Sequence, residues 1–117
     1  VAKDFISTHY NFTEGEVLFK PTFTKQVIFR NNQEDALSYF VKGGISEDSG
    51  FAIKPWEKID LIDINIIIEN GYCFCMGIFD LFPLSKDEIT KVAFTFIIVK
   101  DTNDSLKIKV HHSSPII

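Results

Sequence analysis

Residues 56–82 read WEKIDLIDINIIIENGYCFCMGIFDLF. Apolar and β-branched residues fill both halves of this stretch, and Asn70-Gly71 stands between them. Asn-Gly supplies two residues that tolerate positive φ, which a type I′ hairpin turn requires. The stretch predicts two antiparallel strands, Trp56 to Glu69 and Tyr72 to Phe82. The first is long enough to need a bulge or bend.

Outward from this hairpin the strand character continues. Lys91 to Lys100 sets Val92, Phe94, Phe96 and Ile98 on one face and Ala93, Ile97 and Val99 on the other, so both faces are apolar. Asp101-Thr102-Asn103-Asp104 is a turn signal, and Ser105 to Ser114 makes a fourth strand. Upstream the pattern is helical. Val1, Phe5, Ile6, Tyr10 and Phe12 fall near i, i+4 spacing over residues 1–13, with Gly15 as a stop. A turn or short helix at Pro21-Thr22 and a short strand over Val27 to Arg30 follow. Asn31-Asn32 caps a helix over Gln33 to Val41, Gly43-Gly44 ends it, and Pro55 closes a loop over residues 45–55. Helices first and a four-strand meander afterwards give one α+β domain over residues 1–117, its N-terminal helices packed on one face of a curved antiparallel sheet. The other sheet face needs cover, and self-association supplies it most simply.

The last strand alternates strictly. One face carries Leu106, Ile108, Val110, His112 and Ser114; the other carries Lys107, Lys109, His111 and Ser113. The first face begins apolar and ends in imidazole and hydroxyl, which suits the mouth of a pocket with a dry floor. A strand that simply emerges into water also ends in polar residues. On the pocket reading, His112 and Ser114 combine with hydroxyls of the helical half, Thr22 and Tyr39. Tyr39 would otherwise be ordinary core and Thr22 a helix cap.

Composition bounds the function classes. A length of 117 residues with 45% hydrophobic and 24% charged residues is globular. Twelve phenylalanines suit an aromatic-lined interior or an apolar dimer face. The net charge is −4, with no basic run and no Gly-rich phosphate loop, so nucleic-acid binding has no electrostatic footprint. The longest apolar run, Ile64 to Ile68 broken by Asn65, is too short to span a bilayer. The chain begins at Val1 without a Met, as a processed product or one unit of a longer protein would.

Metal and nucleophile patterns are weak. The histidines are His9, His111 and His112; neighbours on a strand point apart, so His111 and His112 do not share a metal, and HExxH is absent. Cys73 and Cys75 read as small buried hydrophobes. His112 and Ser114 would lie about 7 Å apart along a regular strand, near enough to touch one small ligand or water. The carboxylate pairs Glu14/Glu16, Glu47/Asp48 and Asp87/Glu88 fall in turns and read as solvated. Asp63 and Asp80 sit inside apolar strands, as functional acids or as groups facing water.

Six segments in order resemble one family: Leu18-Phe19-Lys20-Pro21-Thr22, Phe29-Arg30, Leu37-Ser38-Tyr39-Phe40-Val41, Gly50-Phe51-Ala52-Ile53-Lys54-Pro55-Trp56, Met76-Gly77 and His111-His112-Ser113-Ser114. The family is the iota-class carbonic anhydrases, within the NTF2-like (SnoaL-like) superfamily and related to the calcium/calmodulin-kinase association domain. The resemblance implies a cone-shaped NTF2-like barrel, often paired as a homodimer or by domains of one chain, with an apolar cavity for carbon dioxide and bicarbonate. It implies plastid or bacterial cytoplasmic settings. Some members work without metal, and manganese or zinc accompanies others. Carried onto this chain, it gives Thr22, Tyr39 and Ser114 as the hydroxyls that hold water and bicarbonate, His112 as a proton acceptor or relay, and Phe94 and Phe96 as apolar wall.

The chain departs from the family pattern at Ile78-Phe79-Asp80, at Phe94 and Ile97-Ile98, and at Pro115-Ile116-Ile117, and these swaps remove hydroxyl and amide groups. A catalytically degenerate NTF2-like domain, serving in assembly or small-ligand binding, is therefore the alternative. A third reading is an enzyme of the same fold acting on a larger apolar substrate through a long tunnel.

Overall fold

The computed structural model describes residues 2–53, 56–85 and 88–117, except the side chains of Ala2 and Ile53. In chain order the elements are α1 (Ala2–His9), a 3-10 turn (Asn11–Glu14), β1 (Leu18–Lys20), α2 (Gln33–Val41), a second 3-10 turn (Phe51–Ile53), β2 (Trp56–Glu69), β3 (Tyr72–Pro83), β4 (Thr90–Lys100) and β5 (Leu106–Pro115). The strands form one sheet in the order β1-β5-β4-β3-β2. The expected α+β arrangement of helices on an antiparallel meander is what forms. Pro55, expected to close a loop, and Asp87, expected in a turn, lie outside the described residues, as does Val1.

The hairpin turns as its sequence dictates. Asn70 and Gly71 have φ of 51° and 78°, both in the left-handed region that type I′ needs. The length of β2 is absorbed by register shifts at Trp56/Lys58 and Leu61/Asp63. β5 carries a third shift: Ile97 pairs with Val110 and Ile98 with Ile108, leaving Lys109 as an extra residue.

The helical half differs from expectation in three places. The first helix ends at His9, because Tyr10 turns extended (φ −110°, ψ 143°) and bridges Ile108 of β5. The short strand forms at Leu18–Lys20 and pairs in parallel with Val110–His112; residues 27–30 are not strand. There Glu47 instead accepts the backbone N–H groups of Lys25, Gln26 and Val27, and the backbone N–H of Arg30 donates to Phe19. Helix α2 is capped as predicted: the side chain of Asn32 accepts from the N–H of Asp35 at 2.8 Å. Its C-terminus is closed one residue early, by Lys42 in the left-handed region (φ 62°).

The core lies between the helices and the inner sheet face. Ile6, Tyr10, Val17, Phe19 and Ala36 are its buried centre, with Phe12, Leu37, Phe40 and Ile108 packed against it. Full burial of an Ile, Val or Phe side chain such as Ile6, Val17 or Phe19 contributes roughly 1.5–3 kcal/mol. Beneath α2 the guanidinium of Arg30 is fully buried and bonds both carboxylate oxygens of Asp48, at 2.6 and 2.7 Å. Ser38 donates to Asp48 at 2.6 Å, and Arg30 also donates to the carbonyls of Val27 and Asp35. This network ties residues 22–30 to α2, the two segments that carry Thr22 and Tyr39.

Candidate active site

A cavity of about 250 Å³ opens between α2 and the inner face of the sheet. Its walls are apolar, from Phe19, Pro21, Phe40, Phe51, Ile59, Phe79 and Phe96. Four of its lining residues carry polar side-chain groups: Thr22, Tyr39, His111 and Ser113. A small apolar chamber with a few polar groups on one side is the form of a site for a small ligand.

Thr22 and Tyr39 come together as the sequence suggested. Both are buried, and their hydroxyls are hydrogen-bond partners. The phenol oxygen of Tyr39 also accepts the N–H of Phe23 at 3.2 Å. Burial pushes the Tyr39 hydroxyl up to about 12, against the opposing pull of those two bonds, so it stays protonated and able to donate. The cation of Arg30 lies 5.9 Å from the Tyr39 ring centroid.

On β5 the structure turns the predicted face over. His112 is exposed on the outer face, and Ser114 shares that face. The cause is Lys109. One extra residue in a strand shifts every later side chain to the opposite face. Ile108 points to the helices as predicted, but beyond Lys109 the inward residues are His111 and Ser113. His112 and Ser114 do meet, Nε2 to Oγ at 3.2 Å, their side chains leaning together along a regular stretch of ladder, but away from Thr22 and Tyr39. Phe96 lines the cavity; Phe94 packs deeper, 5.6 Å from Phe79 between ring centroids, and is not part of the cavity wall.

His111 and Ser113 were not singled out by the alternation. His111 stacks among Phe96 (4.3 Å), Phe19 (4.8 Å) and Tyr10 (6.0 Å). Its Nδ1 is 2.8 Å from the Tyr10 hydroxyl and its Nε2 is 2.7 Å from Ser113 Oγ. Burial, with a smaller contribution from His112, pulls its pKa from 6.5 down to about 3, so the ring is neutral near pH 7. The ammonium of Lys20 donates to the carbonyls of Ser113 (2.8 Å) and Thr22 (3.5 Å), clasping the two polar sides of the cavity together. The only sequence signal for this arrangement is the His-His-Ser-Ser repeat itself, which offers imidazole and hydroxyl to whichever face turns inward.

The remaining candidates face elsewhere. Asp63 and Asp80 lie on the outer face, Asp63 exposed and Asp80 bonded to Lys91 at 2.8 Å. His9 is exposed against Phe5. Cys73 and Cys75 are free thiols with sulfurs 3.5 Å apart. Among the described residues no three His, Cys, Asp or Glu side chains gather to hold a metal ion. The donor set of the described residues does not fit the manganese or zinc alternative.

The departures from the family pattern fall mostly outside the cavity. Ile78 and Ile97 share the outer face with Ala93 and Val110, and of that group only Phe79 lines the cavity.

The sequence profile of the family described as metal-independent carbonic anhydrase matches residues 1–115. A metal-independent carbonic anhydrase of Nostoc sp. strain PCC 7120 is 33% identical over 117 residues, covering 97% of this chain; the chain spans 57% of that protein's length. The crystal structure of an iota-carbonic anhydrase from a cyanobacterium, complexed with bicarbonate, superposes with a TM-score of 0.88 at 33% identity, over 99% of this chain and 72% of that one. A crystal structure described as a ketosteroid isomerase of Parabacteroides distasonis superposes at 0.69 with 15% identity, over 99% of this chain and 76% of that one, and shares the fold alone. The chain adopts the NTF2-like fold and belongs to the metal-independent carbonic anhydrase family.

Proposed function

We propose that this chain catalyses the reversible hydration of carbon dioxide to bicarbonate, without a metal ion, in the cavity beneath α2. The observation that carries the reading is the gathering of three hydroxyls and one imidazole, from Thr22, Tyr39, Ser113 and His111, on an otherwise apolar chamber. Its volume of about 250 Å³ has room for carbon dioxide or bicarbonate together with water. The cyanobacterial relative holds bicarbonate, which supports the substrate class.

In this mechanism the apolar walls, Phe19, Phe79 and Phe96 among them, take carbon dioxide. A water hydrogen-bonded to the cavity hydroxyls attacks the carbon. The water oxygen forms the new bond to carbon, one carbon–oxygen π pair moves onto oxygen, and one proton leaves to solvent. Tyr39, held protonated by burial, and Ser113 donate to the oxygens on which charge grows, in the manner of an oxyanion hole. Lacking a metal to acidify water, the site relies on holding water and carbon dioxide together. Thr22, Tyr39 and Phe96 keep the roles expected from sequence. Ser113 takes the role expected of Ser114, which faces away; His111 stands where His112 was expected, but as a neutral ring bonded to Ser113 and not as the proton acceptor.

Stopped-flow hydration of carbon dioxide by the purified chain, with and without a chelator, tests the reading. Activity that survives chelation supports it. A folded chain with no activity overturns it in favour of a degenerate or ligand-binding domain. Activity abolished by chelator overturns the metal-free mechanism.

The finer reading of partners is that the outer sheet face pairs with a second copy of this fold, from another chain or the same polypeptide. Ile67 is 59% exposed and Met76 61%, on an outer face that also carries Phe74 and Ile97. Sedimentation of the native chain beside Ile67→Lys/Met76→Lys checks it: a dimer that becomes a monomer supports pairing, and a monomeric native chain rules it out.

A further inference from the structure

Tyr10 belongs to none of the cavity walls, yet its hydroxyl is engaged with the site. The residue is 3% exposed, and its ring packs against Phe19, Phe40 and His111. Its phenol makes one hydrogen bond among the described residues, to Nδ1 of His111 at 2.8 Å. The other ring nitrogen of His111 meets Ser113 Oγ at 2.7 Å. Tyr10, His111 and Ser113 therefore form an unbranched chain from the core to the cavity.

A neutral imidazole carries one proton, so the chain has two possible polarities. In the first, Nδ1–H donates to the phenol oxygen and the Ser113 hydroxyl donates to Nε2. The phenolic proton of Tyr10 then has no acceptor in its buried surroundings, and the proton of Ser113 is turned away from the cavity. In the second, Tyr10 donates to Nδ1 and Nε2–H donates to Ser113 Oγ. Tyr10 and the imidazole are then both paired, and the one remaining proton, on the buried Ser113, faces the cavity, where a bound water or ligand accepts it, as none can at Tyr10. An unpaired buried donor is what folded proteins avoid, so the second polarity prevails.

We propose that Tyr10 is a positioning residue whose phenol locks His111 in the Nε2–H tautomer, so that Ser113 presents its hydroxyl proton to the cavity as a hydrogen-bond donor. The neutral ring required is the one burial enforces. The tautomer follows from the hydrogen-bond chain alone; its consequence for catalysis rests on the carbonic anhydrase reading. Under that reading the lock keeps Ser113 as a donor to bicarbonate oxygen and leaves His111 without a proton to gain or lose in turnover.

Long-range proton–nitrogen correlation spectra of the uniformly labelled native chain at neutral pH test the lock directly. The expected result is an unprotonated Nδ1 and a protonated Nε2 for His111. A protonated Nδ1 overturns the proposal, whether or not the chain hydrates carbon dioxide. Tyr10→Phe keeps the ring and removes the donor. Its expected spectrum has Nδ1 shifted toward the free-nitrogen position, with Nε2–H partly exchanged for Nδ1–H. An unchanged spectrum in Tyr10→Phe overturns the positioning role. Where the native chain is active, kcat is expected to fall at least tenfold in Tyr10→Phe with KM changed less than threefold. A loss carried by KM instead overturns the catalytic consequence while leaving the tautomer to the spectra.

Discussion

Phe96 and His111 face each other across the β4–β5 ladder with ring centroids 4.3 Å apart. That pairing exists because β5 holds one residue more than its partner between Ile108 and Val110. With a regular ladder, Ile108 on the core face would bring Val110, His112 and Ser114 inward after it. With Lys109 inserted, the same apolar start leads to His111 and Ser113. One residue decides which half of the His-His-Ser-Ser segment does chemistry.

The two serines of that segment should therefore behave oppositely. Ser113→Ala removes a cavity hydroxyl and leaves Nε2 of His111 unpaired. Losing a donor to a developing oxyanion costs roughly 100-fold in kcat. Ser114→Ala removes an outer-face hydroxyl whose partner is the exposed His112, and its kcat should stay within about twofold, in keeping with the small effects of such surface changes. Stopped-flow rates of the two variants side by side check this. Equal losses would place the reacting groups on the other face.

The fold was legible because its signals were local. Asn70-Gly71 marks the hairpin, Asn32 marks a cap, and period-2 runs mark the four long strands. Leu18–Lys20 was not legible as strand, since three residues give no period and its partner Val110–His112 lies far along the chain. Thr22 and Tyr39 were legible as cavity hydroxyls once α2 and the Pro21 turn were in place. His111 and Ser113 were not, because a bulge needs no particular residue and Lys109 continues the apolar-polar alternation unbroken. Periodicity fixes relative orientation within an unbroken ladder and carries nothing across a break.

Burial of His111 makes stability depend on pH below neutrality. Its folded pKa is about 3 against an ordinary 6.5. Between those values the unfolded chain binds a proton that the folded chain does not, so unfolding becomes easier as pH falls. The slope is about 1 kcal/mol per pH unit, flattening above 6.5 and below about 3. Urea titrations at pH 7, 6, 5 and 4 should show unfolding midpoints that decline with acid in the native chain. His111→Gln, with nothing to titrate there, should have a distinctly shallower decline. Parallel declines would mean other groups carry the acid sensitivity.

The Arg30–Asp48 pair should be costly to break from one side only. Burial works against the Asp48 carboxylate, but hydrogen bonds from Arg30 and Ser38, with the charge of Arg30, hold its pKa below the usual 3.8. Its contribution is complete above that value and lost as pH falls through the lower folded one. Asp48→Asn leaves the buried Arg30 guanidinium with Glu47, at 3.9 Å, as its nearest carboxylate and without its bidentate partner, at a cost of about 3 kcal/mol. Arg30→Met with Asp48→Leu removes both charges and should recover much of that loss. Equilibrium unfolding of the two variants decides it. Recovered stability with slack catalysis would show that the pair serves mainly to hold Thr22 against Tyr39.

Gly77 is the place where the sheet has no room for a side chain. It pairs with Ile64 on β2, just past the Leu61/Asp63 shift, and with Phe94 on β4. A Cβ there would strike the carbonyl oxygen of Asp63 and come within 2.5 Å of the Phe94 ring. The ring could swing aside, but the carbonyl is backbone held by the β2–β3 ladder. Gly77→Ala should therefore destabilise by about 1–3 kcal/mol, the usual cost of overpacking a core. The double variant Gly77→Ala/Phe94→Leu separates the two obstacles. If the ring were the main one, the smaller side chain would restore stability. The position of the Asp63 carbonyl predicts little restoration, and thermal unfolding of both variants reads the difference. The same strain bears on the cavity, because Phe79 lines it two residues along β3 and touches Phe94. Any strand shift that accommodates the added methyl group should lower kcat as well as stability, and a destabilised variant with unchanged kcat would show that β3 yields without moving that wall.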